Sequence, residues 1–369
     1  MSTNPYRDVL ARTGYLRKTE TSWEPVKGLA TGYDADTLRL EPAFSDRAGL
    51  VVDAVYETVD GPMLLIKDAG SEMPDQDTLD QWAERAWNLG IAPLLWIVTP
   101  TDVRVYDSFR GIGPTAAKGP VRTFDHAIDE QMRQLDEACG RISLDTGAFW
   151  RSSLAEHVDR RQRVDKVLLR EIAELERQLV LAGPDLEGDI TAQKNERDLC
   201  QELVLCTLFA RYLLARGIAQ PLLPKRLPAD LSYIYQDLSR AKELFKWLHE
   251  KFNGDVFPEN VGKNIRAEHL GPLQDFVGDV SLLKKQKGQF RLFNFRFDSI
   301  PIELISSVYE EFAQRAAGTL SRQQSLHYTP VELVHMALDP VFDGLDGRAR
   351  ILDPTCGSGL FLVQGVDFH

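Results

Sequence analysis

The sequence predicts an α/β unit, then an all-α region, then a short segment in which a strand leads through a glycine turn into a helix. Three observations carry this. Short apolar runs separated by turn residues fill residues 1–124, apolar side chains at helical spacing dominate 125–320, and a glycine-rich string follows an apolar run within 321–369.

In the first region Gly49–Tyr56 (GLVVDAVY) and Pro62–Lys67 (PMLLIK) flank Asp60-Gly61, a strand–turn–strand pattern. A helix follows over Thr78–Asn88, with Leu79, Trp82, Ala83 and Ala86 on one face and Gly90 as its stop. Ala92–Thr99 and Val103–Tyr106 read as two further strands around Pro100. The second region opens with a helix over Arg160–Val180, in which Val164, Leu168, Ile172, Leu175 and Leu179 form the apolar stripe and Gly183-Pro184 the end. Further helices are expected over Glu196–Arg216, capped by Gly217, and over Asp230–Phe252, closed by Asn253-Gly254. Pro301–Gln314 begins with proline in the first turn and carries Leu304, Ile305, Val308 and Phe312 on one stripe.

Composition narrows the function classes. The 369 residues are 43% hydrophobic and 27% charged, which is ordinary globular usage and excludes a disordered or collagen-like chain. No apolar run approaches the ~20 residues of a membrane span, and the N-terminus lacks a secretory apolar core. Cys139, Cys200, Cys206 and Cys356 form no CxxC pair, so a reduced, cytoplasmic protein is expected. The formal charge of −12 argues against a surface that coats nucleic acid throughout. A local patch of Lys and Arg remains compatible with it.

The most specific string is Arg350–Leu362, RILDPTCGSGLFL. An apolar strand ends in Asp353, glycines at 357 and 359 let a ligand approach the backbone, and the helix that starts after them aims free N–H groups into the turn. Gly-Ser-Gly alone equally describes a tight turn. The full Asp-Pro-Thr-Cys-Gly-Ser-Gly after a strand is far more restrictive. Upstream, Tyr328-Thr329-Pro330-Val331-Glu332 has capping-box spacing between Thr329 and Glu332, with proline at the first helical position. By itself it marks a helix start. It lies about two dozen residues before Asp353, room for one helix over Val331–Leu338 and a loop.

Together these strings resemble the adenine-N6 DNA methyltransferases of restriction–modification systems, of the type I modification-subunit or type IIG-like kind. The resemblance extends to FNGDVFP at 252–258, LFNFRF at 292–297 and IPIELISSVYEEF at 300–312, which look like the helical part preceding the methylase fold. It also reaches AWNLGIAPLLWIVTPTDVRVY at 86–106, which looks like an N-terminal nuclease-like domain. It implies a nuclease-like α/β domain over 1–124, a helical domain over 125–320, and the start of a Rossmann-like methyltransferase fold over 321–369. It implies S-adenosyl-L-methionine as cofactor, held by His327, Tyr328, Thr329, Pro330, Asp353, Pro354, Thr355, Cys356, Gly357, Ser358 and Gly359. The implied partners are double-stranded DNA and the remaining methyltransferase part or other restriction–modification subunits, with no membrane.

The chain also departs from that family. The Asn/Asp-Pro-Pro-Tyr/Phe segment that polarises the target amine and stacks on the flipped base does not occur in it, so no catalytic residue is assigned. Only sixteen residues follow Asp353. The expectation is therefore a truncation, a frameshift or a split gene, with weak or undetectable cofactor binding and no methyl transfer by itself. A non-catalytic DNA- or partner-binding module is the competing class. An active nuclease is a third, disfavoured by Leu65: Asp53 and Lys67 have the expected spacing, but an apolar residue stands where a hard metal needs a second carboxylate. Asp53 and Lys67 read equally as a strand end and a solvated edge. Lys284, Lys285, Lys287 and Arg291, interleaved with Phe293 and Phe295, read either as a DNA-phosphate patch or as a solvated loop before a strand. Arg160, Arg161 and Arg163 invite the same two readings, and there an exposed helix face is favoured. The histidines show no metal-ligand spacing.

Overall fold

The computed structural model describes residues 4–32, 40–46, 49–110, 119–252, 257–278, 295–317, 331–342 and 352. In the α/β part, α1 (Pro5–Arg12) leads into a two-stranded antiparallel ribbon, β1 (Leu16–Lys18) with β2 (Trp23–Pro25). The main sheet has six strands in chain order: β3 (Leu29–Ala30), β4 (Ala54–Thr58), β5 (Gly61–Asp68), β6 (Leu94–Val98), β7 (Asp102–Asp107) and β8 (Arg122–Asp125). Neighbours are antiparallel except β5 and β6, which run parallel. A parallel pair needs a crossover, and α3 (Gln76–Leu89) supplies it.

The two strands expected across Asp60-Gly61 form the β4–β5 hairpin, with Gly61 at φ +110°. The first starts later than its apolar run suggests. Leu50 and Val52 are buried but lie outside the ladder, where the Val52 amide donates to the Ala43 carbonyl of a short helix, α2 (Glu41–Phe44). The helix expected over 78–88 is α3. Asp75 caps it by accepting from the Thr78 amide at 2.8 Å, and Gly90 ends it at φ +63°.

One face of the sheet presents Met63, Leu64, Ile66, Leu94, Trp96, Val98, Val103 and Val105. It is covered by Val9 and Leu10 of α1, and by Met132, Leu135, Cys139 and Leu144 of two further helices, α4 (Asp129–Cys139) and α5 (Arg141–Asp145). Phe149 and Leu154 complete this core. The α/β core therefore takes in residues well beyond 124, because α4 and α5 bury their apolar stripes on the sheet. The opposite face presents Val55, Leu65, Leu95, Ile97 and Tyr106 to Leu79, Ala83, Ala86 and Leu89 of α3. Alanine at two of these positions lets the helix lie close to the strands.

The helical part is built on α6 (Val164–Ala182) and α7 (Ile190–Ala215), whose apolar stripes share one core. Expected boundaries move, and α7 itself starts at Ile190, before the expected Glu196. Residues 160–162 form a 3₁₀ turn, so Arg160, Arg161 and Arg163 do not lie on the face of an α-helix. The expected helix over 230–252 is two, α8 (Leu231–Ile234) and α9 (Leu238–Phe252). Asp237 accepts from the Arg240 amide at 2.9 Å and restarts the helix there. The short α10 (Glu259–Asn264) and α11 (Leu270–Val277) follow, then α12 (Ile302–Ala317) and α13 (Val331–Phe342).

α3 joins the two cores. Its Trp87 points away from the sheet into the helical core. There the indole N–H donates to the Gln162 carbonyl at 2.8 Å and the ring lies 5.6 Å from that of Phe295. A Cβ on Gly90 would come within 2.7 Å of Val164 and 2.9 Å of Leu304, so the helix end sits directly against α6 and α12. The neighbouring segment 295–300 is held by polar contacts. Buried Asn88 accepts from the Arg296 amide at 2.8 Å. Arg216, at the end of α7, donates to the carbonyls of Phe297 (3.2 Å) and Ile300 (2.7 Å), and Arg211 donates to that of Phe295 (3.4 Å) and to that of Phe276 on α11 (3.0 Å).

At the end of β7, buried Asp107 accepts from the Phe109 amide at 2.8 Å. Burial pushes its carboxyl up to about 6, against the lowering pull of the Phe109 and Asp159 amides and of Arg110. The raised value means the fold favours the protonated form. That contribution is complete below the ordinary value of 3.8 and is lost as pH rises through about 6. Asp107→Asn keeps the acceptor and removes the buried charge. It is expected to raise stability at pH 8 by roughly 1–3 kcal/mol and to leave it unchanged near pH 4. Urea denaturation at the two pH values measures this, and equal stability of the two proteins at pH 8 would contradict it.

Candidate functional site

The residues expected to surround a cofactor, His327, Tyr328, Thr329, Pro330, Asp353, Pro354, Thr355, Cys356, Gly357, Ser358 and Gly359, lie outside the described residues. So do Lys284, Lys285, Lys287 and Arg291. The described part frames the first group. α13 begins immediately after Pro330 and runs four residues past the expected Leu338. It buries Val334 and Leu338 and exposes Leu333, Met336 and Val341. Of the expected strand before the glycine turn only Leu352 is described, and it is exposed. Upstream, α12 is seated on α6 by buried Ile305, Val308 and Phe312, and Lys166 pairs with Glu311 at 3.0 Å. The clamped 295–300 segment thus fixes where α12 starts.

The structure also gathers a polar group that spacing alone did not point to. Glu196, Cys200 and His269 bring ligand-type atoms within 4.8 Å of one another. Glu196 and Cys200 stand one turn apart on α7, a pairing visible in sequence, but His269 comes from far along the chain. Arg266 governs this group. Its guanidinium pairs with Glu196, and its backbone amide lies 3.3 Å from His269 Nδ1. Nε2 lies 3.2 Å from Glu196 and 3.0 Å from a guanidinium nitrogen of Arg266. Both ring nitrogens are engaged within the group, and the Arg266 cation that already pairs with Glu196 disfavours a metal ion there. Burial, reinforced by the Arg266 charge, holds the imidazole below its ordinary value and so neutral. The arrangement is a half-buried ion pair that joins α7 to the turn before α11.

The α/β part places Asp53 and Lys67 together. Asp53 lies just before β4, and its carboxylate accepts from Lys67 Nζ at 3.0 Å and from the Asp68 amide at 2.7 Å. Lys67 also lies 5.7 Å from the ring centroid of Trp82 on α3. Leu65 shares the Lys67 face of β5, but it is fully buried in the core beneath α3. Behind the pair, the Tyr6 hydroxyl is raised by burial and by the nearby charges of Asp53 and Asp68. Among the described residues Asp53 joins no group of three metal-ligating side chains. One carboxylate, already neutralised by an ammonium and an amide, is a poor seat for a hard divalent ion. Plasmid incubated with the protein and Mg²⁺ or Mn²⁺ is expected to stay intact. Nicking that disappears in both Asp53→Ala and Lys67→Ala variants would contradict this.

No curated protein and no solved structure matches the chain. Residues 301–369 match the family described as N-6 DNA Methylase. The match begins at the first residues of α12, immediately after the clamped segment, and takes in both the Tyr328-Thr329-Pro330 and the Asp353–Gly359 strings. Through this segment the chain is similar to the adenine-N6 DNA methyltransferases.

Proposed function

We propose that the chain serves a site-specific, S-adenosyl-L-methionine-dependent DNA adenine-N6 methyltransferase of a restriction–modification or phage-defence system. The observation that carries the reading is the coincidence of the family match at 301–369 with the two strings expected to line a cofactor site. In this reading Gly357 and Gly359 give the cofactor access to the backbone, and the helix that follows offers N–H groups to its carboxylate end. Tyr328 covers its methionine or adenine portion, and Asp353 closes the strand end. When bound, the cofactor supplies an activated methyl group on a sulfonium.

The sequence contains no Asn/Asp-Pro-Pro-Tyr/Phe string, so polarisation of the adenine amine is assigned to no residue of this chain. A cytoplasmic setting is part of the proposal. Supporting it, no described helix is long and apolar enough to cross a membrane, and Cys139, Cys200 and Cys206 are buried free thiols.

Saturation-transfer NMR with S-adenosyl-L-methionine detects weak as well as tight binding. A signal is expected from the 369-residue chain, and Gly357→Val is expected to abolish it by filling the space the backbone leaves open. An undiminished signal in Gly357→Val would place the ligand elsewhere. No signal from the unsubstituted chain would remove the cofactor assignment.

A further inference from the structure

We propose that the turn-rich belt over residues 150–170 is a contact surface for duplex DNA, gripping its phosphate backbone. The inference rests on the DNA-methyltransferase reading and adds to it a surface outside the matched segment. Within 150–170 the basic side chains are Arg151, Arg160, Arg161, Arg163, Lys166 and Arg170, against Glu156, Asp159 and Asp165. This local surplus of three positive charges stands in a chain whose net charge is −12.

The charges converge in space. Asp159 accepts from Arg161 at 2.8 and 3.0 Å and lies close enough to Arg170 to feel its charge. Asp165 pairs with Arg163 at 3.1 Å, and Lys166 bridges onward to Glu311. Arg151, Arg160 and Arg170 are exposed and make no ion pair among the described residues. The guanidinium of Arg160 instead stacks 4.3 Å over the ring of Trp150, which is itself 38% exposed. A stacked guanidinium keeps its edge N–H groups free, the geometry that suits a phosphate oxygen. An exposed indole beside it offers a flat apolar face to a sugar.

The belt is also rigid. Asp159 caps the turn through the Arg161 amide at 3.0 Å, and the Gln162 amide donates to the Asp159 carbonyl at 2.8 Å. Trp87 holds the Gln162 carbonyl from beneath. Arg160 and Arg161 are thus presented on a short turn held by Trp87 of the helical core, with Arg170 on α6 beside them, which lowers the ordering cost of gripping a phosphate. A purely solvated turn needs neither the stacked Arg160–Trp150 pair nor this anchoring.

The test uses the full chain and a short fluorescein-labelled DNA duplex, with anisotropy followed across a salt series. The unsubstituted protein should bind with a steep salt dependence. A variant carrying Arg151→Ala, Arg160→Ala, Arg161→Ala and Arg170→Ala should bind at least ~tenfold more weakly, and its log–log salt slope should fall by roughly 0.9 for each phosphate no longer neutralised. A control carrying Arg133→Ala, Lys246→Ala and Lys263→Ala removes three cations exposed elsewhere and should keep affinity and slope. Thermal midpoints of the two variants separate weakened DNA binding from impaired folding. Unchanged binding in the four-arginine variant, no binding by the unsubstituted chain, or tighter binding to duplex RNA of the same sequence would each overturn the proposal. The cofactor NMR signal reports on the methyltransferase reading independently, so the two failures are distinguishable.

Discussion

The arrangement depends on α3 being buried on two sides. A surface helix needs one apolar stripe, whereas α3 carries two. Leu79, Ala83, Ala86 and Leu89 pack on the sheet, and Trp87 packs among the helices. Both requirements meet at its last turn, where Gly90 leaves in the left-handed conformation with Val164 and Leu304 against it. Any side chain there would strain the backbone and collide with both neighbours. Loss of a buried tryptophan from such a position costs about 3–5 kcal/mol, a large part of a typical domain's stability. The junction is therefore a shared core rather than two surfaces resting on each other.

Polar contacts then convert that junction into a placement of the family-matched segment. Asn88 stands beside Trp87 and spends its carbonyl on the Arg296 amide, while Arg211 and Arg216 reach from the end of α7 to the backbone carbonyls of Phe295 and Ile300. Each arginine also stacks on an aromatic ring, Arg211 at 4.5 Å from Phe297 and Arg216 at 5.2 Å from Tyr212. Side chains that satisfy irregular backbone are what allow residues 295–300 to be buried without regular secondary structure. α12 leaves from this fixed point, and the methylase match starts with it.

The legible parts of the fold were those with a strong period or strong punctuation. The β4–β5 hairpin, α3, α6 and α7 follow from apolar spacing, Asp60-Gly61, Gly90 and Gly183. The boundaries that moved were decided by capping side chains that periodicity does not see, such as Asp189 accepting from the Ala192 amide at 2.9 Å and starting α7 six residues early. β3 and β8 are short edge strands with too few residues to show alternation. At the sites the division is similar. Asp53 and Lys67 were visible because a carboxylate and an amine recur at a fixed spacing on adjoining strands. The link between Glu196, Arg266 and His269 was not, because it joins elements about seventy residues apart through tertiary packing. Arg160, Arg161 and Arg163 were visible as a basic run but were placed on the wrong kind of element.

The central claim is that α3 couples the sheet core and the helical core into one cooperative unit. Native-state hydrogen exchange in increasing sub-denaturing urea, read by mass spectrometry, tests it most directly. Peptides from β5 and β6 should converge on the same opening free energy as peptides from α6 and α7, since neither core can open fully without exposing α3. Two separate plateaus, with the helical core opening while the sheet stays protected, would show that α3 belongs to the sheet alone and would contradict the account.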